Sequence, residues 1–396
     1  VRTSVRVNWQ YRHTVLGLAT LAFFSTMVAR LAISPVVPDI RATFGVSNGV
    51  VGVALAGMWT AYACSQFPSG VLGERFGERR IILTAVGLTG VASVLLAASP
   101  TFSTFFAFTL VLGAGAGLHY SVATTFISKQ FPNVGRAIGV HVAGGPLAGL
   151  LTPVVVAVIA VRFGWRNALG LGALVAIPVF FVFAGRIHPT QPDRPDQPMR
   201  ERFALGSLFE LVSRPEIAYT IVLAVAGAFT WQATASFLPT FLEEHHDLSG
   251  TVAGVLFSLY FVVHGATQPM TGWLSDRFNR DAAAALTMGV GVVGYGLLVF
   301  GSGLVAFVPG VCLAGLAMSW GAPIQSRFID LLSAEERGSG FGLVRTVYMV
   351  LGASGSVVVG GLSDAAGWTI AVGLLACVMA FGLSVLVLNR ALGLGL

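Results

Sequence analysis

Arg30 stands in the middle of the apolar stretch FFSTMVARLAISPVVPDI, residues 23–40. A guanidinium presents its donors as a planar fork and can grip a carboxylate through two parallel hydrogen bonds, which an ammonium cannot copy. Within hydrocarbon the same charge costs roughly 2.5–3.5 kcal/mol on insertion scales, so it must face a partner or a cavity. Asp39, the nearest acid in the same segment, lies near its far end, too distant to pair. Arg345, Arg327, His119, His141 and His264 also fall in apolar segments. Asp330 and Asp364 lie near segment ends, and no acid sits deep in any segment. Cationic groups around a cavity with no matching carboxylate make a site for an anion. Arg30 is therefore expected to be the main anion ligand. The competing readings tie it to backbone carbonyls freed by Pro35, or make it a gate residue.

The other groups are expected to serve as follows. Arg345 is a second anion ligand, unless its side chain reaches back to water from roughly 9 Å inside the membrane edge, at 1.5 Å per helical residue. Arg327 and Asp330, at helical i, i+3 spacing, form a gate or pair with each other. His119, beside Tyr120, binds substrate or carries a proton. His141 and His264 are packing or hydrogen-bonding residues. Neutral contacts come from Trp231, Gln232, Trp320 and Gln325. Tyr62, Gln66, Tyr260, Gln268 and Tyr348 join them or simply pack.

These residues need elements to hold them, and the composition names the solvent. Of 396 residues, 55% are hydrophobic and 10% charged, with a mean hydropathy of +0.81. Soluble proteins are about 25% charged, so most of this surface must meet lipid. Glycine is abundant, at 49 residues, as in closely packed membrane helices. Cys64, Cys312 and Cys377 fall in apolar runs and form no metal or disulfide pattern. Apolar runs long enough to span a bilayer cover 14–38, 48–72, 80–99, 103–128, 136–161, 167–186, 217–242, 249–273, 282–301, 304–331, 339–362 and 368–389. The first carries Arg30, Pro35 and Pro38 and is expected to be a span, not a cleaved leader. The expected architecture is all-α, with twelve transmembrane helices in two pseudo-symmetric six-helix bundles, 1–186 and 216–396. A Pro-rich, charged cytoplasmic linker, 187–215, joins them.

Orientation follows from arginine placement. Arg2, Arg6, Arg12, Arg75, Arg79, Arg80, Lys129, Arg136, the linker arginines, Arg277, Arg280, Arg337 and Arg390 share one side with both termini. The other side has Arg41, Arg162, Arg166 and the acidic EEHHD at 243–247. Both termini are expected in the cytoplasm, and the basic net charge of +6 marks topology rather than nucleic-acid binding. A single lysine, Lys129, among 23 basic residues is the composition of a GC-rich prokaryote, so the expected location is a prokaryotic plasma membrane.

The two halves repeat. SQFPSGVLGERFG (65–77) matches TQPMTGWLSDRFN (267–279) at an offset of about 202, and SNGVVGV (47–53) matches SGTVAGV (249–255). RAIG and FGW answer RGSG and AGW in the same order. Duplicated six-helix units meeting at a central site are a transporter architecture.

The loop GVLGERFGERR resembles the signature of the major facilitator superfamily: glycine, three residues, an acid, arginine, any residue, glycine, then basic residues. Gly70, Glu74, Arg75, Gly77, Arg79 and Arg80 occupy those places, with Glu74 where aspartate is usual and Glu78 where a base is usual. The second copy keeps Gly272, Asp276, Arg277 and Arg280, with Asn279 replacing the glycine. The resemblance covers essentially the whole chain. It implies alternating access, a gate in which Glu74 and Arg75 meet the opposite half, and a cavity lined by helices 1, 4, 7 and 10, which include Arg30. Arginine in helix 1 resembles the anion-carrying branches.

HVAGGPLAGL (141–150) resembles part of the glycine–proline motif of drug:proton antiporters, through Gly145, Pro146 and Gly149. His141 and Leu150 depart from it, and Thr109 stands where those antiporters carry arginine. No G-x-x-x-x-G-K-[ST] loop is present, so gradients supply the energy. The expected protein is a monomeric secondary transporter of small anions, organic carboxylates foremost. It is coupled to protons through His119 or to a counter-anion, with no cofactor and no nucleic-acid partner. The alternatives are an exporter of hydrophobic or cationic drugs, which deep acids would favour, and a non-transporting sensor, which would add a soluble domain. No nucleophile–base or metal constellation suggests an enzyme.

Overall fold

The computed structural model describes residues 10–132, 134–195, 210–333, 336 and 339–396. Arg2, Arg6, Arg337 and most of the linker's second half, with Arg200 and Arg202, lie outside them. Among the described residues, twelve helices are long and apolar enough to cross a membrane. They are α1 (Tyr11–Phe44), α2 (Asn48–Phe76), α3 (Glu78–Ala97), α4 (Phe102–Ser128), α5 (Val134–Phe163) and α6 (Trp165–Arg186), followed by α7 (Pro215–Glu244), α8 (Gly250–Arg277), α9 (Arg280–Phe300), α10 (Leu304–Leu331), α11 (Gly340–Ala366) and α12 (Trp368–Leu392).

Every expected span is present, and the ends differ for local reasons. α1 tightens into a 3₁₀ turn at Ser34–Val36 and resumes at Val37. Pro35 and Pro38 fall at the starts of those two pieces, where a missing N–H costs least. α2 and α8 run past their apolar stretches to Phe76 and Arg277, because signature residues continue the helix beyond the hydrocarbon. α5 breaks between Val142 and Gly144, and α10 carries a 3₁₀ turn at Met318–Trp320.

The packing repeats with a shift of six helices. α2 on α4, α3 on α4, α3 on α6, α1 on α5 and α1 on α6 are answered by α8 on α10, α9 on α10, α9 on α12, α7 on α11 and α7 on α12. The two halves meet through α2 against α11 and α5 against α8. Glycines bring these backbones together, as small residues do in membrane bundles. A Cβ on Gly52 would fall 2.5 Å from the Ser356 carbonyl oxygen, and one on Gly149 would strike Phe261 at 2.2 Å. Large apolar side chains point outward, among them Val161, Phe163, Phe300 and Val305, as a lipid-facing surface requires.

A central cavity carrying two arginines

The helices enclose a cavity of about 180 Å³. Arg30 from α1 and Arg345 from α11 both line it, with Trp231, Gln232, Trp320 and Gln325. No Asp or Glu lines it among the described residues. Arg30 is 3% exposed. Its Nε donates to the Thr26 carbonyl at 3.1 Å, and an Nη lies 2.8 Å from the Met27 sulfur. Its guanidinium sits 4.0 Å above the Tyr62 ring and 5.2 Å from that of Trp59. The carbonyl it meets is one turn back in its own helix rather than one released by Pro35. Arg345 lies 4.3 Å over the Tyr120 ring, and its Nε is buried without a hydrogen bond. Aromatic faces attract a cation but do not cancel its charge, so both arginines remain electrostatically uncompensated.

The neutral groups around the cavity keep polar atoms free of protein partners. Gln232 donates its amide to the Met349 carbonyl at 3.0 Å, while its Oε1 is buried and unbonded. Trp320, placed by the 3₁₀ turn of α10, buries an unbonded Nε1. Gly227 leaves room for it: a Cβ there would come within 2.3 Å of the indole. Trp231 packs edge-on against Trp59 at 5.1 Å.

Other expected residues are elsewhere. Tyr120 supports Arg345 from beneath and does not line the cavity. His119 is fully buried behind Phe23. Tyr62, Gln268 and Tyr348 line the cavity; Gln66 and Tyr260 do not. His264, expected to pack, lines it with an unbonded Nδ1. Trp59, Phe23, Met27, Phe261 and Met349 complete walls that the sequence did not single out.

Arg327 and Asp330 do not pair with each other. Arg327 donates to Asp281 at 2.5 Å and to the Thr220 hydroxyl at 3.1 Å, and lies over Tyr219. Asp330 accepts from Arg280 at 2.9 Å. Both are held in the second half's helix-end network, away from the cavity.

The signature loop joins its own half together. Gly77 has φ +88°, and a Cβ would sit 2.5 Å from the Thr190 carbonyl oxygen, so only glycine fits. Arg79 donates to the Ala184 and Ile187 carbonyls at 2.6 and 2.7 Å, capping α6 where a cation suits the helix dipole. Glu74 lies 3.9 Å from Arg194. Lys129 bridges Glu78 and Asp193. Partial burial works against its charge, yet those two carboxylates hold the ammonium above its usual range. Glu78, out of place against the signature, therefore has a partner. Arg75 lies against Phe76, Arg80 is exposed, and Gly70 borders open space. In the second copy Arg280 bonds Asp276 and Asp330, and Arg277 lies against Trp273. Asn279, in the glycine's place, caps α9 by accepting from the Asp281 N–H at 2.7 Å.

Among the described residues, the polar contacts between halves concentrate at the other end. Glu244 of α7 pairs with Arg41 of α1 and accepts from the Trp368 indole at 3.0 Å. Asp364 of α11 accepts from the backbone N–H groups of Asn48 and Gly49 at 3.0 and 2.6 Å. A carboxylate there satisfies free donors at the start of α2. Deeper in, Ser34 donates to the Ser236 carbonyl at 2.9 Å. The molecule is closed at this end.

Comparison with known proteins follows the same lines. The model of the Major Facilitator Superfamily matches residues 19–250 and 220–392. A probable sulfoacetate transporter of Cupriavidus necator is 24% identical over 90% of this chain and 88% of its own. A probable nitrate transporter of Staphylococcus epidermidis is 23% identical over 83% of this chain and 84% of its own. Among solved structures, an inward-facing bacterial homologue of the human lysosomal transporter Spinster superposes with TM-score 0.78 at 16% identity, covering 96% of each chain. The nucleoside transporter NupG superposes with TM-score 0.81 at 13% identity, covering 94% of this chain and 98% of that one.

Proposed function

Because this chain belongs to the major facilitator superfamily, we propose that it is a secondary active transporter that carries a small anion, organic carboxylates foremost, by alternating access. It is a multi-pass membrane protein and not an enzyme. The observation that carries the anion reading is the pair Arg30 and Arg345 in one cavity that no carboxylate lines among the described residues. They come from opposite halves, so an anion held by both draws the halves together, and its release lets them part. The sulfoacetate and nitrate relatives support the same charge class. Gln232 and Trp320 offer polar groups to a substrate's uncharged end. The drug-exporter reading gains nothing from a cavity that would repel cations.

The halves 1–186 and 216–396 rock against each other with 187–215 as the cytoplasmic linker. Both termini face the cytoplasm of a prokaryote, and one monomer is a complete transporter. In that orientation Glu244 and Asp364 close the outer side. Arg327, Asp330 and the signature residues then hold each half rigid rather than touch substrate.

The test is a thermal-shift screen of small carboxylates, sulfonates and nitrate on wild type and Arg30→Ala. A ligand that binds only the folded state raises Tm by mass action. Losing hydrogen bonds from a charged group costs about 1.5–3 kcal/mol, so Arg30→Ala should weaken binding about 10- to 100-fold. Stabilisation of wild type by lipophilic cations and by no anion would overturn the reading.

A further inference from the structure

His119 of α4 and His141 of α5 form a buried pair that the cavity does not use. Both are fully buried. Their ring centroids are 5.4 Å apart, and both flank Phe23 of α1, at 6.0 and 5.2 Å. None of their four ring nitrogens makes a hydrogen bond of good geometry. Buried polar groups nearly always have such bonds, and each one lost costs about 1–3 kcal/mol. Packing alone would be better served by leucine. The carbonyl of Ala19 faces both rings, an acceptor ready for an N–H. His141 also stands at the break of α5, one residue before the first piece ends at Val142.

The pair adjoins the arginine cavity. Phe23 lines the cavity on one side and packs against both histidines on the other. Tyr120 lies 6.2 Å from His141 and beneath Arg345. The charges that act on His119 are those of His141 and of Arg30, from α1. Arg345, from α11, reaches the pair through Tyr120.

We propose that His119 and His141 form a single proton-binding site, which fills when an anion settles on Arg30 and Arg345. The proposal rests on reading the cavity as an anion site. With the cavity empty, the uncompensated guanidinium charge repels a further cation in a region of low dielectric. An anion cancels that field. One ring can then become an imidazolium, donating one N–H to the Ala19 carbonyl and the other to its neutral neighbour. Coupling between sites is reciprocal, so the proton tightens the anion in turn. The two then travel together.

The experiment is calorimetric titration with sulfoacetate, whose charge is constant above about pH 6. Two buffers of different ionisation enthalpy report protons taken up per anion bound. Wild type should take up nearly one near neutral pH, and the His119→Gln, His141→Gln double variant should bind with none. Wild-type affinity should also fall about tenfold per pH unit once the pair no longer holds a proton unaided, a readout that stands if the double variant does not fold. Binding without proton uptake, with affinity indifferent to pH, overturns the histidine site and leaves the anion site intact. If sulfoacetate fails to bind while lipophilic cations do, the anion site falls, and the coupling with it.

Discussion

At the residue scale, the cavity depends on a few side chains whose freedom is set by small neighbours. Gly227 is the clearest. A methyl group there meets the Trp320 indole at 2.3 Å, and the ring must swing toward the cavity. Gly227→Ala should therefore lower affinity for the bulkier anions at least tenfold while sparing nitrate, read as Kd across a size series. Equal loss for all sizes would mean that the ring does not border the bound anion. Arg30 was legible in the sequence because a charge in an apolar run is an anomaly that needs an answer. Trp59, Phe23 and Phe261 were not, because an aromatic residue in a span reads alike whether it faces lipid, core or cavity. His264 reads as a packing residue for the same reason: periodicity does not say which face of α8 looks inward. The i, i+3 spacing offers Asp330 to Arg327 as a pair, because the sequence shows neighbours along one helix only. Its carboxylate, Asp281, comes from the start of α9.

At the element scale, the closed end is held by carboxylates that meet the opposite half. Asp364 binds two backbone N–H groups at the start of α2, and hydrogen bonds from a charged acceptor contribute about 1.5–3 kcal/mol. Asp364→Asn should favour opening at this end about tenfold or more. The measurement is the rate at which an impermeant maleimide, added from the Glu244 side, labels a cysteine introduced at Gln232. An unchanged rate would show that Asp364 does not hold the end shut. Gly52→Val should act in the same direction through bulk, since even a Cβ comes 2.5 Å from the Ser356 carbonyl oxygen. It should abolish exchange of labelled anion in liposomes, and full transport would mean that α2 and α11 never need this approach. The helices themselves were plain in the sequence, because twenty apolar residues have few other uses. The cross-half contacts were not. The signature points to Glu74 and Arg75, whereas the bonds between halves among the described residues gather at Arg41, Asn48, Glu244 and Asp364. These are ordinary polar residues at helix ends, and only tertiary placement gives them partners.

At the scale of the whole molecule, packing repeated with a shift of six leaves two matched seams, α2 against α11 and α5 against α8. The repeat could be read from paired motifs at a constant offset, since duplication preserves order even where residues change. Which end is closed could not, because the bonds that close it join residues far apart in the sequence. The two uncompensated arginines have an electrical consequence. On the proposed function, a carrier loaded with a dianion and with the proton of the His119–His141 pair keeps about one positive charge at its centre, whereas the vacant carrier holds the two of Arg30 and Arg345. A membrane voltage does work of about 2.3 kcal/mol per 100 mV on each charge that crosses its full field. The voltage would therefore act on both strokes, and about twice as strongly on the empty return as on the one that moves cargo.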